Sequence, residues 1–128
     1  MRAQLSFAAA DRLHRSAEFL RLQRNGVRFQ SPHFVLYAGI LDDEAARSRL
    51  GVTVSSRIGN AVARNRVKRR VRECFRKVMR ALLPVGTSIV VIARGGADAL
   101  ESAAINDELT MAARNLSGRM AAKGAGRN

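Results

Sequence analysis

Several residue types that would point to particular kinds of chemistry are scarce in this chain of 128 residues. It has one cysteine, Cys74, so no disulfide bond can form within the chain. Two histidines, His14 and His33, add too few ligands for a Cys/His zinc site. Uncharged apolar runs such as residues 34–41 and 89–93 are far too short to span a bilayer, and residues 5–10 are too short for a secretory signal. We therefore expect a soluble, intracellular protein with no membrane partner.

Acidic side chains are also scarce, with 10 Asp and Glu against 23 Lys and Arg, which gives a net charge of +13. The excess is concentrated in residues 45–97, where the only acid is Glu73, whereas residues 1–44 and 98–128 are close to neutral. A local excess of this kind predicts a polyanionic partner. Most of the basic residues are arginines, whose planar guanidinium suits phosphate groups.

The apolar pattern and the turn residues predict one domain over residues 1–128, in the order α-β-β-β-α-β-α. The predicted elements are a helix at 16–25, strands at 27–30, 34–41 and 49–55, a long helix at 60–83, a strand at 87–93 and a helix at 98–116. The polar residues 42–44 predict that the second and third strands form a hairpin. Residues 1–12 are expected to be a loose arm and residues 117–128 a frayed tail. The fold class is α+β, with helices packed on one mixed sheet.

The long predicted helix carries most of the positive charge. Its apolar residues form a single stripe at helical spacing, made of Val67, Val71, Cys74, Phe75, Val78, Met79 and Leu82. Lysines and arginines cover most of the remaining surface between Arg64 and Arg80, with Glu73 as the single acid. Like charges at this spacing repel one another, and a merely solvated face would mix both signs. The pattern therefore favours a helix that binds an external polyanion.

The surroundings of this helix favour RNA over DNA as the polyanion. No helix-turn-helix pair, zinc module or leucine zipper accompanies it. Single-stranded RNA is bound by aromatic side chains next to positive charge, and the strand at 34–41 carries Tyr37 on the same face as Val35 and Gly39. Two interpretations of Tyr37 stay open from the residues alone. Tyr37 is either an open platform on which a base can stack or a packed side chain at the rim of a strand that is buried on both faces. The residues by themselves favour the packed side chain.

Motifs of catalytic and nucleotide-binding sites are missing from the sequence. It contains no Walker loop, no GxGxxG pattern and no arrangement of residues typical of a catalytic triad. The acids at 42–44 are predicted to lie in a solvated loop, both histidines at the surface, and Cys74 in the core. We expect neither a catalytic residue nor a metal ligand in this chain.

The segment from Gly51 to Arg76, with Arg-Asn-Arg-Val-Lys-Arg at residues 64–69, resembles the signature of the bacterial ribonuclease P protein subunit. Weaker similarity covers the helix with Phe19 that ends at Gly26, the Phe-Val-Leu-Tyr strand at 34–37 and the strand at 89–94. The resemblance implies an α/β sandwich in which the basic helix crosses between parallel strands with the rare left-handed sense. It also implies a function: the protein binds a catalytic RNA, and that RNA removes the 5′ leader from precursor tRNA.

The resemblance further implies which residues contact RNA. Those expected to bind the catalytic RNA are Arg57, Arg64, Arg66, Lys68, Arg69 and Arg70. Those expected to form a cleft for the leader are Phe19, Val35, Tyr37, Asn65, Lys68 and Arg72. Magnesium is implied as an ion held mainly by the RNA, and the free protein is expected to be a monomer. The sequence departs from many members at Gln23, where an aromatic residue is common, and at Ser56, where a lysine is common.

Two other functions compete with this interpretation. A structural rRNA-binding protein would carry a similar charge but would need no aromatic cleft. An independent nuclease would cleave RNA without an RNA partner, although the scattered acids offer no paired carboxylates near the basic helix. The specificity of the motif at residues 64–69 favours the ribonuclease P subunit over both.

Overall fold

The computed structural model describes residues 16–41 and 47–125 as a layered α+β domain, which confirms the predicted fold class. The elements follow the predicted order: α1 (Ser16–Asn25), β1 (Val27–Gln30), β2 (Phe34–Gly39), β3 (Arg49–Thr53), α2 (Ala61–Cys74), α3 (Arg80–Leu82), β4 (Ser88–Ala93) and α4 (Ser102–Ala125). A π-helical segment, Phe75–Met79, joins α2 to α3, and a 3-10 turn, Ala97–Ala99, precedes α4. The predicted arm at residues 1–12 and the acids at 42–44 lie outside the described residues.

The four strands form one sheet in the order β1-β2-β4-β3. β2 pairs antiparallel with both β1 and β4, whereas β3 pairs parallel with β4. The predicted hairpin between β2 and β3 is therefore wrong. Val90 and Val91 of β4 are buried on opposite faces, as is typical of a central strand, and β4 pairs with both of the strands that were expected to pair with each other. The chain from α2 to α3 connects the parallel strands β3 and β4, as the resemblance implies, while the handedness of that connection stays a prediction.

The two faces of the sheet are covered unequally. On one face the fully buried Phe34, Leu36 and Ala38 of β2 join a large core with residues of α2 and α4. On the other face α1 packs on the sheet, through Leu22 against the buried Val90. The residues of β2 on this second face, Val35, Tyr37 and Gly39, remain half-buried.

α1 approaches the sheet closely where it ends. The backbone N–H of Gly26 donates to the carbonyl of Leu22 at 2.9 Å, which closes the last turn of the helix. A Cβ atom at position 26 would lie 2.6 Å from the carbonyl oxygen of Ala38 and 2.7 Å from that of Leu22. Only glycine leaves room for this approach, so the predicted end of the helix at Gly26 has a packing reason as well as a conformational one.

The two long helices differ from their predicted forms. The helix expected over residues 60–83 contains a π turn in which the N–H of Arg80 bonds to the carbonyl of Phe75, and Phe75 and Met79 are both buried in it. α4 starts later than expected, and it continues through most of the predicted frayed tail as far as Ala125. The helix therefore extends past its predicted end at residue 116, and Met120 packs against the core and lengthens the buried stripe by another turn. The fraying of residues 117–128 stays a prediction. None of the helices in the described ranges combines the length and apolar character needed to cross a bilayer.

Candidate nucleic-acid interface

The orientation of α2 is set by its cap and its apolar stripe. Asn60 is the N-cap, and its Oδ1 accepts from the N–H of Ala63 at 2.9 Å, as its residue type predicted. Ala63, Val67 and Val71 are buried. The basic residues consequently lie on the outer side of the helix, where Arg66 and Arg69 are exposed.

The basic residues of α2 differ in whether their charge is compensated. Arg64 donates to the carbonyl of Gly59 at 3.2 Å and Arg70 donates to the carbonyl of Leu100 at 2.5 Å, so both are held in place by uncharged acceptors. Within the described part of the chain, Arg66, Lys68 and Arg69 have no carboxylate within 4.0 Å. These three side chains are therefore positive charges without a carboxylate partner in the second and third turns of α2.

Glu73 compensates part of the positive charge in the later turns of the helix. Its carboxylate lies 2.7 Å from Arg76 and 3.2 Å from Lys77, one turn further along. Hydrogen bonds from Arg76 and then Lys77 lower the pKa of Glu73, so the carboxylate stays charged. The anion-binding potential of the helix is thereby concentrated in residues 64–70.

A groove of about 430 Å³ separates α2 from the start of α4. It brings together three of the predicted RNA-binding residues, Arg66, Arg69 and Arg70, and its opposite wall is made by Ser102 and Asn106. The lining on α2 and the π-helical segment also includes one acid, Glu73, and Lys77, with which Glu73 is paired. Arg57 stands apart from this groove, exposed in the turn before α2. A wall of guanidinium groups facing polar side chains is suited to a sugar–phosphate backbone.

A second candidate surface is the half-covered face of the sheet. Tyr37 and Phe19 both pack against the buried pair Leu22 and Val90, and both remain half-buried. Val35 lies on the same face, two residues before Tyr37 on β2. The structure thus brings together the three apolar members of the predicted leader cleft.

The polar members of that predicted cleft belong to a different layer of the domain. Asn65, Lys68 and Arg72 lie on α2, whose buried residues pack against the opposite face of the sheet. Asn65 is exposed, and Lys68 and Arg72 are half-buried. α2 packs beside the edge strand β3, so this set lies at one edge of the sheet and the aromatic set lies on its face.

Sequence reasoning missed Arg28, which lies beside Tyr37. The two residues are direct cross-strand partners, and Arg28 Nε donates to the Tyr37 hydroxyl at 3.3 Å. The guanidinium carbon is 5.9 Å from the centre of the tyrosine ring. The available signal was the alternation of β1, but using it required knowing the register between β1 and β2.

Sequence reasoning also missed a polar network at the turn between β1 and β2. Glu108 of α4 accepts hydrogen bonds from the hydroxyl of Ser31, from the backbone N–H of His33 at 2.7 Å, and pairs with His33 Nδ1 at 2.9 Å. Burial alone would raise the pKa of Glu108, but the hydrogen bonds from Ser31 and His33 outweigh it and lower that pKa. His33 is therefore a half-buried structural residue rather than the surface residue that was predicted, while His14 lies outside the described residues.

Cys74 is buried in the core, as predicted, and burial raises the pKa of its thiol to about 11. Among residues 16–41 and 47–125, no group of three or more His, Cys, Asp or Glu side chains could hold a metal ion.

Known proteins resemble this chain in both sequence and structure. A sequence profile of the Ribonuclease P family matches residues 7–117. The Ribonuclease P protein component of Desulforapulum autotrophicum is 41% identical over 104 residues, which cover 81% of this chain and 86% of that protein. The corresponding protein of Syntrophobacter fumaroxidans is 36% identical over 121 residues, which cover 94% of this chain and 99% of that protein.

Solved structures agree with these sequence matches. The RNase P protein of Staphylococcus aureus superposes with a TM-score of 0.72 at 32% identity, covering 84% of this chain and 97% of that one. The RNase P protein of Thermotoga maritima superposes with a TM-score of 0.71 at 30% identity, covering 81% of this chain and 96% of that one.

Proposed function

The chain belongs to the bacterial ribonuclease P protein family, and on that premise we propose that it binds two RNAs on two separate surfaces. As a family member it is the protein part of an RNA–protein endoribonuclease that processes tRNA, and its partner in that enzyme is an RNA. Membership in this family favours tRNA processing over the alternative of a structural rRNA-binding protein. The identity of each bound RNA, and the residues that contact it, form the proposal.

The first proposed surface binds the catalytic RNA. The observation that carries it is the uncompensated charge of Arg66, Lys68 and Arg69 at the start of α2. The adjacent groove, with Arg70 held toward α4 by the carbonyl of Leu100, accepts a phosphate backbone, and Arg57 and Arg64 extend the positive surface toward the preceding turn.

The second proposed surface binds the leader of precursor tRNA. Phe19, Val35 and Tyr37 offer a half-open apolar floor on which unpaired bases can stack. Asn65, Lys68 and Arg72 supply polar groups at the β3 edge of the same sheet. A single strand that passes from that edge onto the floor would contact positive charge first and aromatic rings second.

The reaction itself is proposed to take place on the RNA. Magnesium is proposed to be held mainly by that RNA, because the described residues present no suitable set of ligands. The protein contributes binding and neutralisation of phosphate charge, which matters most when magnesium is scarce. Since precursor tRNA is the proposed substrate, the proposed location is the bacterial cytoplasm, and the free chain is proposed to be monomeric.

The test is cleavage of 5′-labelled precursor tRNA at low magnesium, with a bacterial ribonuclease P RNA alone, this protein alone, and both together. We expect mature-length product to form much faster with both than with either alone. Cleavage by the protein alone would instead show that it is an independent nuclease, and tight binding to another structured RNA without faster cleavage would favour the rRNA-binding function.

Single substitutions separate the two surfaces. Arg66→Ala should weaken assembly with the catalytic RNA about fivefold at 0.15 M salt, the effect of losing one phosphate contact. Tyr37→Ala should leave assembly intact and weaken binding of precursor tRNA by about 1–3 kcal/mol, the value of one stacked base. Arg114→Ala is the charge-matched control, because Arg114 is exposed on α4 and belongs to neither surface. If Arg66→Ala and Arg114→Ala behaved alike, the assigned RNA surface would be wrong.

A further inference from the structure

Two arginines project from the sheet face that carries Tyr37, and they differ in how their charge is compensated. Arg49 lies beside Glu18 of α1, with its Nη2 2.5 Å from the carboxylate. Arg28, at the other edge of the sheet, has no carboxylate within 4.0 Å in the described ranges 16–41 and 47–125. It is the uncompensated arginine of the two, and its side chain is exposed.

The Arg28 side chain is nevertheless held in a defined direction. Its Nε donates to the hydroxyl of Tyr37 at 3.3 Å, and its Nη2 donates to the side-chain oxygen of Gln30 at 2.8 Å. Both acceptors are uncharged, so they orient the guanidinium without cancelling its charge. A guanidinium has five N–H donors, so three of them remain for an incoming acceptor.

Arg28 and Tyr37 lie side by side on the same face of the sheet. The guanidinium carbon is 5.9 Å from the ring centre, near the outer limit of a cation–π contact, and Nε is close to the hydroxyl. The Tyr37 side chain is half-buried, so part of its surface is open to solvent. A ring and a guanidinium side by side match the two parts of a nucleotide, its base and its phosphate.

We propose that Arg28 binds a phosphate of the precursor-tRNA leader next to the base that stacks on Tyr37. This inference rests on the proposed leader-binding function and adds a contact at the far end of the leader path. β1 and β3 are the two edges of the sheet, and α2 packs beside β3. A leader that enters at the β3 edge must cross the whole sheet, about 14 Å, before it reaches Arg28.

The width of the sheet makes the contact depend on leader length. At the spacing of about 3.4 Å per nucleotide in a stacked strand, about four nucleotides are needed to reach the β1 edge. Arg28 should therefore contribute nothing to the binding of a precursor tRNA with a single-nucleotide leader. Its contribution should appear when the leader grows to about four nucleotides and should stay constant beyond that length.

The experiment measures the affinity of the reconstituted holoenzyme for precursor tRNAs whose leaders lengthen one nucleotide at a time. Arg28→Gln is compared with wild type, with Arg28→Lys, and with Arg24→Gln. Arg24 is an exposed arginine of α1, about 200° around the helix from the buried Leu22, so its substitution removes the same charge away from the sheet.

For long leaders, Arg28→Gln should weaken binding about eightfold at 50 mM salt and about threefold at 200 mM salt, as expected for one lost single-strand phosphate contact. Arg28→Lys should recover most of this salt dependence because it keeps the charge. Equal binding of the single-nucleotide leader by wild type and Arg28→Gln also shows that the variant is folded and assembled.

Three results would overturn the proposal, and they have different meanings. If Arg28→Gln weakened binding equally at every leader length, or no more than Arg24→Gln does, Arg28 would not contact the leader. If wild type gained affinity with leader length and Tyr37→Ala lost that gain while Arg28→Gln kept it, the Arg28 contact alone would be wrong. If wild type gained no affinity with leader length, the leader-binding function would fail, and the Arg28 contact with it.

Discussion

Replacing Gly26 with alanine should destabilise the domain and disturb the leader surface at the same time. The new Cβ would stand 2.6 Å and 2.7 Å from two carbonyl oxygens, those of Ala38 and Leu22. Both contacts are with backbone atoms, so no side-chain rotation can relieve them. α1 would have to move away from β2, and α1 carries Phe19 and the buried Leu22.

The expected cost of Gly26→Ala is about 1–3 kcal/mol, the range for forcing an extra carbon into a packed site. In a domain of this size, that corresponds to a fall in Tm of about 4–12 °C. Urea unfolding followed by circular dichroism measures the free energy of unfolding. Leader-dependent binding by the holoenzyme, measured well below the Tm, should fall as well, because Phe19 moves with α1.

Gly118→Ala is the matched control. Nothing lies within 4 Å of a Cβ built at Gly118, which lies within the long helix α4. Alanine there should increase the free energy of unfolding by about 1 kcal/mol, through helix propensity alone. If Gly26→Ala were as stable as wild type, the close approach of α1 to the sheet would be refuted, and with it the packing reason for the end of α1.

Three further predictions concern the charged and thiol groups. Glu108→Gln should be less stable than wild type at neutral pH. The difference in the free energy of unfolding should shrink as pH falls through the lowered pKa of Glu108, because the hydrogen bonds stabilise the fold only while the carboxylate is charged. A difference that stayed the same at every pH in urea unfolding would contradict this. Cys74 should not react with a thiol reagent in the native protein, since it is buried and the pKa of its thiol is about 11; modification at a rate faster than unfolding would show that the core opens locally. Glu73→Gln should release Arg76 and Lys77 and raise the affinity for the catalytic RNA several-fold at low salt. The loss of stability should be small, because ion pairs of this kind contribute little to folding. In filter binding across a salt series, an affinity that fell or stayed the same would contradict this prediction.

The sequence predicted the elements well wherever their signals were local. The cap at Asn60 and the spacing of Val67 and Val71 are properties of neighbouring residues, and they correctly oriented α2. Strand pairing, in contrast, joins residues that are far apart in the sequence. The continuous apolar run of β4 is typical of a central strand, and β4 does lie between β2 and β3. The short polar connection at 42–44 instead suggested that β2 and β3 pair with each other.

The same distinction applies to the candidate site. The pairing of Glu73 with Lys77 can be predicted from their spacing on one helix. The hydrogen bond from Arg70 to the carbonyl of Leu100 joins residues 30 positions apart, and no sequence pattern predicts it. The contact of Arg28 with Tyr37 lies between these cases, because it follows from strand alternation once the register of β1 and β2 is known.

The strand order has a consequence for how the protein is made. β4 lies in the middle of the sheet but is synthesised after the strands on both sides of it. While the ribosome is still translating β4, the nascent chain can form the β1–β2 hairpin, but β3 lacks the strand with which it pairs. α4 emerges later still, and it supplies Ile105, Leu109 and Leu116 to the same core. Folding therefore waits for the C-terminal third of the chain, and the most basic helix of the protein leaves the ribosome before the core that will hold it exists.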